Sequence, residues 1–111
     1  LEGKFDGLAI RVPTPVVSLS DITAVLKEKT TKEEINQCFI EAAENKMENI
    51  LIATSELVVS SDLIKNPASS IVDLSLTQVI KGDLCKIVAW YDNEWGYSNR
   101  LVELAELVGR K

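Results

Sequence analysis

The passage from residue 86 to residue 108 narrows the folding options of this chain most. Lys86-Ile87-Val88-Ala89-Trp90-Tyr91 is an apolar run with the length and residue types of a buried strand. Arg100-Leu101-Val102-Glu103-Leu104-Ala105-Glu106-Leu107-Val108 carries its apolar residues at helical spacing. Between them the chain has to turn from strand to helix within a few residues. The stretch 90–100 that makes this turn contains both tryptophans and both tyrosines of the protein. Asp92 and Asn93 stand at the junction, where a short polar side chain can accept from the first free N–H groups of a helix. Such junctions also host small-molecule sites, because polar groups project there from two rigid elements. Asn93 offers a donor and an acceptor, enough to hold a planar amide by two complementary hydrogen bonds. On spacing alone, a capping role for Asn93 and a core role for the aromatics is the simpler reading.

The rest of the chain supplies partners for that strand. Leu8, Ile10 and Val12 alternate with Ala9 and Arg11, which predicts a half-buried strand over 8–12, ended by Pro13 and Pro15. A second strand is expected over 16–26. Thr31 and Glu34 form a capping-box pattern that opens a helix. Its apolar stripe should be Ile35, Cys38, Phe39, Ala42 and Ala43, with Lys32, Glu41 and Glu44 on the solvated side. Residues 49–54 read as a short apolar strand and 57–59 as another short apolar run. Asn66-Pro67 marks a turn. Residues 70–80 alternate, with Val72, Leu74, Leu76 and Ile80 on one face. The turn Lys81-Gly82-Asp83 then joins them to 84–91 as an antiparallel hairpin. The last helix should run over about 94–108, burying Tyr97, Leu101, Leu104, Ala105 and Val108, with Gly109 as its stop. Strands outnumber helices and are joined by short turns. The expected fold is α+β: a mixed, mostly antiparallel sheet with two main helices packed on it.

Composition excludes several classes of function. The chain has 111 residues, 12 basic and 17 acidic, for a net charge of −5. A negative surface without a Lys/Arg stripe argues against nucleic acid and anionic membranes. No apolar run reaches the length of a membrane span, and no signal pattern is present. Two separated cysteines, Cys38 and Cys85, and the lack of histidine argue against a zinc site or a disulfide scaffold. They fit a reducing, cytoplasmic setting. Cys38, on the predicted apolar stripe, reads as a small core residue. The chain opens on Leu1 rather than Met, so a longer precursor is expected.

Trp90-Tyr91-Asp92-Asn93-Glu94-Trp95-Gly96-Tyr97-Ser98-Asn99-Arg100 resembles the signature near the C-terminus of the glyceraldehyde-3-phosphate dehydrogenase family. Leu8-Ala9-Ile10-Arg11-Val12-Pro13-Thr14-Pro15, Val59-Ser60-Ser61-Asp62 and Pro67-Ala68-Ser69-Ser70-Ile71-Val72-Asp73 resemble the same family in the same order. The resemblance runs along essentially the whole chain and covers the last third of such an enzyme. It implies that residues 1–111 are a single partial domain, the C-terminal part of a catalytic domain. The NAD-binding domain and the catalytic Cys/His segment would then precede it. The family oxidises glyceraldehyde 3-phosphate with NAD and inorganic phosphate, is cytoplasmic, and forms tetramers.

Residue by residue, the resemblance implies that Arg11 binds phosphate and that Asn93 hydrogen-bonds the nicotinamide carboxamide. Tyr97 would stand beside the nicotinamide ring. A planar guanidinium suits phosphate, since it can make paired charge-assisted hydrogen bonds. The family's cysteine nucleophile is followed by Thr-Thr-Asn, whereas Cys38 is followed by Phe39 and Cys85 by Lys86. No histidine can act as base, and no G-x-G-x-x-G fingerprint occurs. No catalytic residue is therefore assigned here, and the chain by itself should be inactive. The adenosine contacts that separate NAD from NADP fall outside the matching residues. The competing reading is a non-catalytic α+β interaction or oligomerisation domain.

Overall fold

The structure, a computed structural model, describes residues 2–110. Residue 1 of the polar lead-in lies outside the described residues. In chain order the elements are β1 (Ser18–Val25), α1 (Lys32–Glu44), β2 (Leu51–Thr54), β3 (Ser70–Asp73), β4 (Gln78–Ile80), β5 (Leu84–Tyr91) and α2 (Trp95–Gly109). Short 3-10 helices at Ser60–Leu63 and Leu74–Leu76 fall before and after β3. The sheet runs β1-β5-β3-β2, and β4 pairs with β5 off that path. Every pair is antiparallel except β2 with β3. This is the α+β, mostly antiparallel arrangement expected from the sequence.

β5 is the central strand. Along one edge it pairs with β1 over its full length, from Ser18 opposite Tyr91 to Val25 opposite Leu84. Its other edge is shared: β4 takes the Leu84 end and β3 the Trp90 end. Neighbours on both edges and layers on both faces explain why Cys85, Ile87, Val88 and Ala89 are all buried. The turn into β5 has positive φ at Lys81 and Gly82, and the Asp83 N–H donates to the Ile80 carbonyl. Those are the features of a primed hairpin turn. Lys29 braces it, donating to the Lys81 carbonyl and pairing with Asp83 at 2.6 Å.

The two faces of the sheet carry separate cores. On one, Leu51, Val72, Leu74, Ile87 and Ala89 pack under the Ile35, Phe39, Ile40, Ala42 and Ala43 side of α1. On the other, Ile71 packs with Val17, Leu63 and Ala68, with Trp90 at the margin. The loop over residues 55–69 covers this second face, with Val58, Leu63 and Ala68 packed into it. The predicted capping box is present: the Glu34 N–H donates to the Thr31 hydroxyl and the Thr31 N–H to the Glu34 carboxylate.

Four expectations are corrected. Residues 8–12 form no strand, and Leu8, Ile10 and Val12 are exposed. Alternation specifies an apolar face, but a strand also needs a neighbour, and none of the described strands lies alongside. The stretch 70–80 is two strands rather than one. Asp73 accepts from the Ser75 N–H and hydroxyl at 3.1 and 2.6 Å, and this local alternative turns the backbone into a 3-10 helix. Cys38 is exposed, not core. Lys32 and Asn36 donate to the Ser75 and Leu74 carbonyls, which rolls α1 toward its 32–36–40 edge and turns Cys38 outward. Finally, Gly96 is the one buried residue of α2, and the stripe Tyr97, Leu101, Leu104 and Val108 is exposed. No element of the described chain faces that stripe beyond the first turn.

Candidate functional site

The site is built where β5 gives way to α2, and Asp92 fixes the geometry. Its side chain is only 3% exposed. One carboxylate oxygen accepts from the Trp95 N–H at 2.9 Å and the Glu94 N–H at 3.2 Å. The other accepts from the Lys65 N–H at 2.9 Å. Asp92 thus caps α2 and ties the junction to the loop before β3. Burial pushes its carboxyl up, but the N–H groups of Trp95, Lys65 and Glu94 outweigh that and hold it below the ordinary aspartate value.

With Asp92 turned inward, Asn93 is turned out. Its amide oxygen accepts one long hydrogen bond, 3.4 Å, from the Ser18 hydroxyl. Its amide nitrogen donates to nothing among the described residues, so a donor stands free beside solvent. Tyr97, one helical turn on, is 65% exposed. Asn93 and Tyr97 line one open hollow of about 220 Å³, which Ser69, Gly96 and Arg100 also line. That is smaller than a pocket for a whole drug-sized ligand, roughly 300–1,000 Å³. It has room for one end of a larger molecule.

Gly96 lets the helix sit this close to the sheet. A Cβ there would lie 2.7 Å from the Ala68 carbonyl oxygen, nearer than real side chains approach. A turn later, Arg100 donates from Nη1 to the Asn49 carbonyl at 3.1 Å and from Nη2 to Glu103 at 2.6 Å. Beyond Arg100 is a larger hollow, about 500 Å³, between the end of α1, β2 and α2. None of the three site residues expected from sequence, Arg11, Asn93 and Tyr97, lines it.

Of the three site residues expected from sequence, the structure brings Asn93 and Tyr97 together and leaves Arg11 apart. Arg11 is exposed in the unpaired N-terminal segment, outside the Asn93 hollow, and makes no ion pair among the described residues. Sequence reasoning named Asp92 only as a possible cap and missed Gly96 and Arg100. A glycine in the first turn of a helix was the available signal for close packing. Among the described residues, no group of three or more His, Cys, Asp or Glu could hold a metal, and no helix is long and apolar enough to cross a membrane. Cys85 is buried, and both thiols are free.

Fold and junction together define an α+β domain whose outward polar groups stand where its central strand becomes a helix. Residues 1–93 match the family described as glyceraldehyde 3-phosphate dehydrogenase, C-terminal domain. Over 110 residues the chain is 52% identical to the glyceraldehyde-3-phosphate dehydrogenase of Mycobacterium avium, covering 99% of this chain and 32% of that protein. It is 50% identical over 111 residues to glyceraldehyde-3-phosphate dehydrogenase 2 of Trichormus variabilis, covering 100% of this chain and 33% of the relative. The corresponding protein of Streptomyces avermitilis is 44% identical over the same length. The chain belongs to the glyceraldehyde 3-phosphate dehydrogenase C-terminal domain family. It spans about a third of the length of these relatives.

Proposed function

We propose that this chain is the C-terminal part of the catalytic domain of a phosphorylating glyceraldehyde-3-phosphate dehydrogenase. In that enzyme glyceraldehyde 3-phosphate and inorganic phosphate give 1,3-bisphosphoglycerate, and a nicotinamide cofactor, NAD in this reading, accepts the hydride. The observation that carries the proposal is the pairing of Asn93 and Tyr97 across one hollow, beside a backbone pinned by buried Asp92. The free Asn93 amide N–H₂ can donate to a carboxamide oxygen, and its Oδ1, held by one long hydrogen bond, can accept from the amide nitrogen. The exposed Tyr97 ring limits how a flat heterocycle can lie. The hollow suits one end of the cofactor, and the remainder would be held by residues outside this chain.

Arg11 is proposed as a phosphate ligand of the same enzyme. The segment around it supports the partial-domain reading: its exposed Leu8, Ile10 and Val12 would form the apolar face of a strand only beside a neighbour supplied by the rest of the protein. The nucleophile and base would also come from there, since neither cysteine has a histidine to activate it. Free thiols at Cys38 and Cys85 support a cytoplasmic setting. The exposed apolar stripe of α2 supports assembly into a homo-oligomer. That stripe also favours the second reading, an interaction or oligomerisation domain without chemistry.

Steady-state kinetics of the full-length enzyme separate the two. Asn93→Ala should raise the KM for NAD by about 3- to 10-fold, the worth of one or two neutral hydrogen bonds. The KM for the phosphorylated substrate should stay put. An unchanged KM for NAD, with loss confined to thermal stability, would leave Asn93 as structure only.

A further inference from the structure

We infer that Arg100 is a positioning residue for the nicotinamide end of the site. This rests on the reading of Asn93 and Tyr97 given above. α2 has a single buried residue, Gly96, so its seating on the sheet depends on a short stretch of contact. Gly96 sets how closely the first turn approaches the Ala68 carbonyl. It does not set how far the helix rolls about that point of contact. The roll is fixed one turn later, where the Arg100 guanidinium spans from α2 to the Asn49 carbonyl.

Both ends of that strut are themselves held. Asn49 has a left-handed backbone, φ 64°, which asparagine tolerates. In that turn its neighbour Ile50 N–H donates to the Met47 carbonyl. At the other end Glu103 pairs with Nη2 and holds the guanidinium plane, and the Arg100 side chain is only 23% exposed. Buried Nε makes no hydrogen bond, so the two Nη contacts alone orient the group. A forked, planar cation fixes direction as well as distance.

Arg100 also lines the hollow that Asn93 and Tyr97 share, and it divides that hollow from the larger one behind it. Tyr97 is on the same helix, three residues earlier. If the helix rolls, the Tyr97 ring moves relative to Asn93, which belongs to the junction pinned by Asp92. Arg100 therefore sets the gap between the two residues proposed to contact the ring, without touching the ring itself.

The test is a double-mutant cycle in the full-length enzyme, using Arg100→Gln, Asn93→Ala and the double variant, with NAD as the varied ligand. Arg100→Gln should raise the KM for NAD by about 3- to 10-fold. The KM for the phosphorylated substrate should not change. The double variant should fall within about twofold of Asn93→Ala, because the position of Tyr97 matters to the ring only while Asn93 holds its carboxamide; with Asn93 gone, displacing Tyr97 costs little more. Arg100→Lys, which keeps one donor toward Asn49, should be intermediate; it replaces Arg100→Gln in the cycle if the latter lowers Tm by more than about 5 °C. Multiplicative losses in the double variant, or an Arg100→Gln enzyme with unchanged KM for NAD, would overturn the positioning role while leaving Asn93 as a ligand. If Asn93→Ala alone has no effect on KM for NAD, the underlying reading fails and the role of Arg100 fails with it.

Discussion

Replacing Asp92 tests how the junction is held. Its two carboxylate oxygens serve three backbone donors: Trp95 and Glu94 on one, Lys65 on the other. Asn in its best orientation keeps the oxygen facing the helix and turns its NH₂ toward the Lys65 N–H. One charge-assisted hydrogen bond is lost, at about 1.5–3 kcal/mol, and two donors are left facing each other. The two capping contacts that remain lose their charge. Asp92→Asn should therefore cost about 2–4 kcal/mol, and Asp92→Ala, which removes all three contacts, about 3–5 kcal/mol. With an m-value of about 2 kcal/mol/M, the urea midpoint of Asp92→Asn should drop by about 1–2 M at fixed protein concentration. Circular dichroism and tryptophan fluorescence should move together. The pH dependence follows from the depressed carboxyl: it binds its proton more readily in the unfolded chain, where its pKa is near 3.8. Its stabilisation is fully present above that value and is lost as pH falls through the lower folded pKa. The gap between the native chain and Asp92→Asn should thus be constant near neutrality and narrow at acid pH. A midpoint shift below about 0.3 M, or a gap that widens on acidification, would refute this account of the junction.

Three further outcomes are expected. Gly96→Ala should lower Tm, by an overpacking cost of about 1–3 kcal/mol, because the added Cβ meets the Ala68 carbonyl, backbone that cannot swing aside; an unchanged or higher Tm would show that the helix can lift without penalty. In the full-length enzyme, Arg11→Leu should weaken use of the phosphorylated substrate by about 1.5–3 kcal/mol with little change in NAD binding, and unaltered substrate kinetics would remove Arg11 from the site. The isolated 111-residue chain should show no turnover with glyceraldehyde 3-phosphate, phosphate and NAD, and should self-associate through its exposed apolar residues. Measurable activity would contradict the first, and a clean 12.3 kDa species in light scattering across a dilution series would contradict the second.

Much of the fold was legible because local signals and tertiary needs agreed. The capping box at Thr31–Glu34, the hairpin turn at Lys81–Gly82 and the doubly apolar run of β5 each have one good structural solution, and each is found. The sequence misled where pattern and partner parted. Leu8, Ile10 and Val12 alternate but have no neighbouring strand among the described residues, and the α2 stripe has the right period but no described residues to cover it. Asp73 broke an alternating run through side-chain hydrogen bonds that periodicity does not register. Cys38 was lost to the roll of α1, set by Asn36 and Lys32 reaching backbone carbonyls forty residues away. At the site, Asn93 and Tyr97 were readable as polar and aromatic groups one helical turn apart. Asp92 was readable as a cap but not as the tie to Lys65, and Gly96 and Arg100 were not readable, since these parts depend on the loops before β2 and β3, which sequence order does not bring near.

The central claim is that Asn93 and Tyr97 face the nicotinamide end of the cofactor, and a crystal structure of the full-length enzyme with NAD bound tests it most directly. The account predicts the Asn93 amide within about 3.2 Å of the carboxamide and the Tyr97 ring against one side of the nicotinamide. An Asn93 amide still held by the Ser18 hydroxyl, with the carboxamide beyond hydrogen-bond reach, would contradict it.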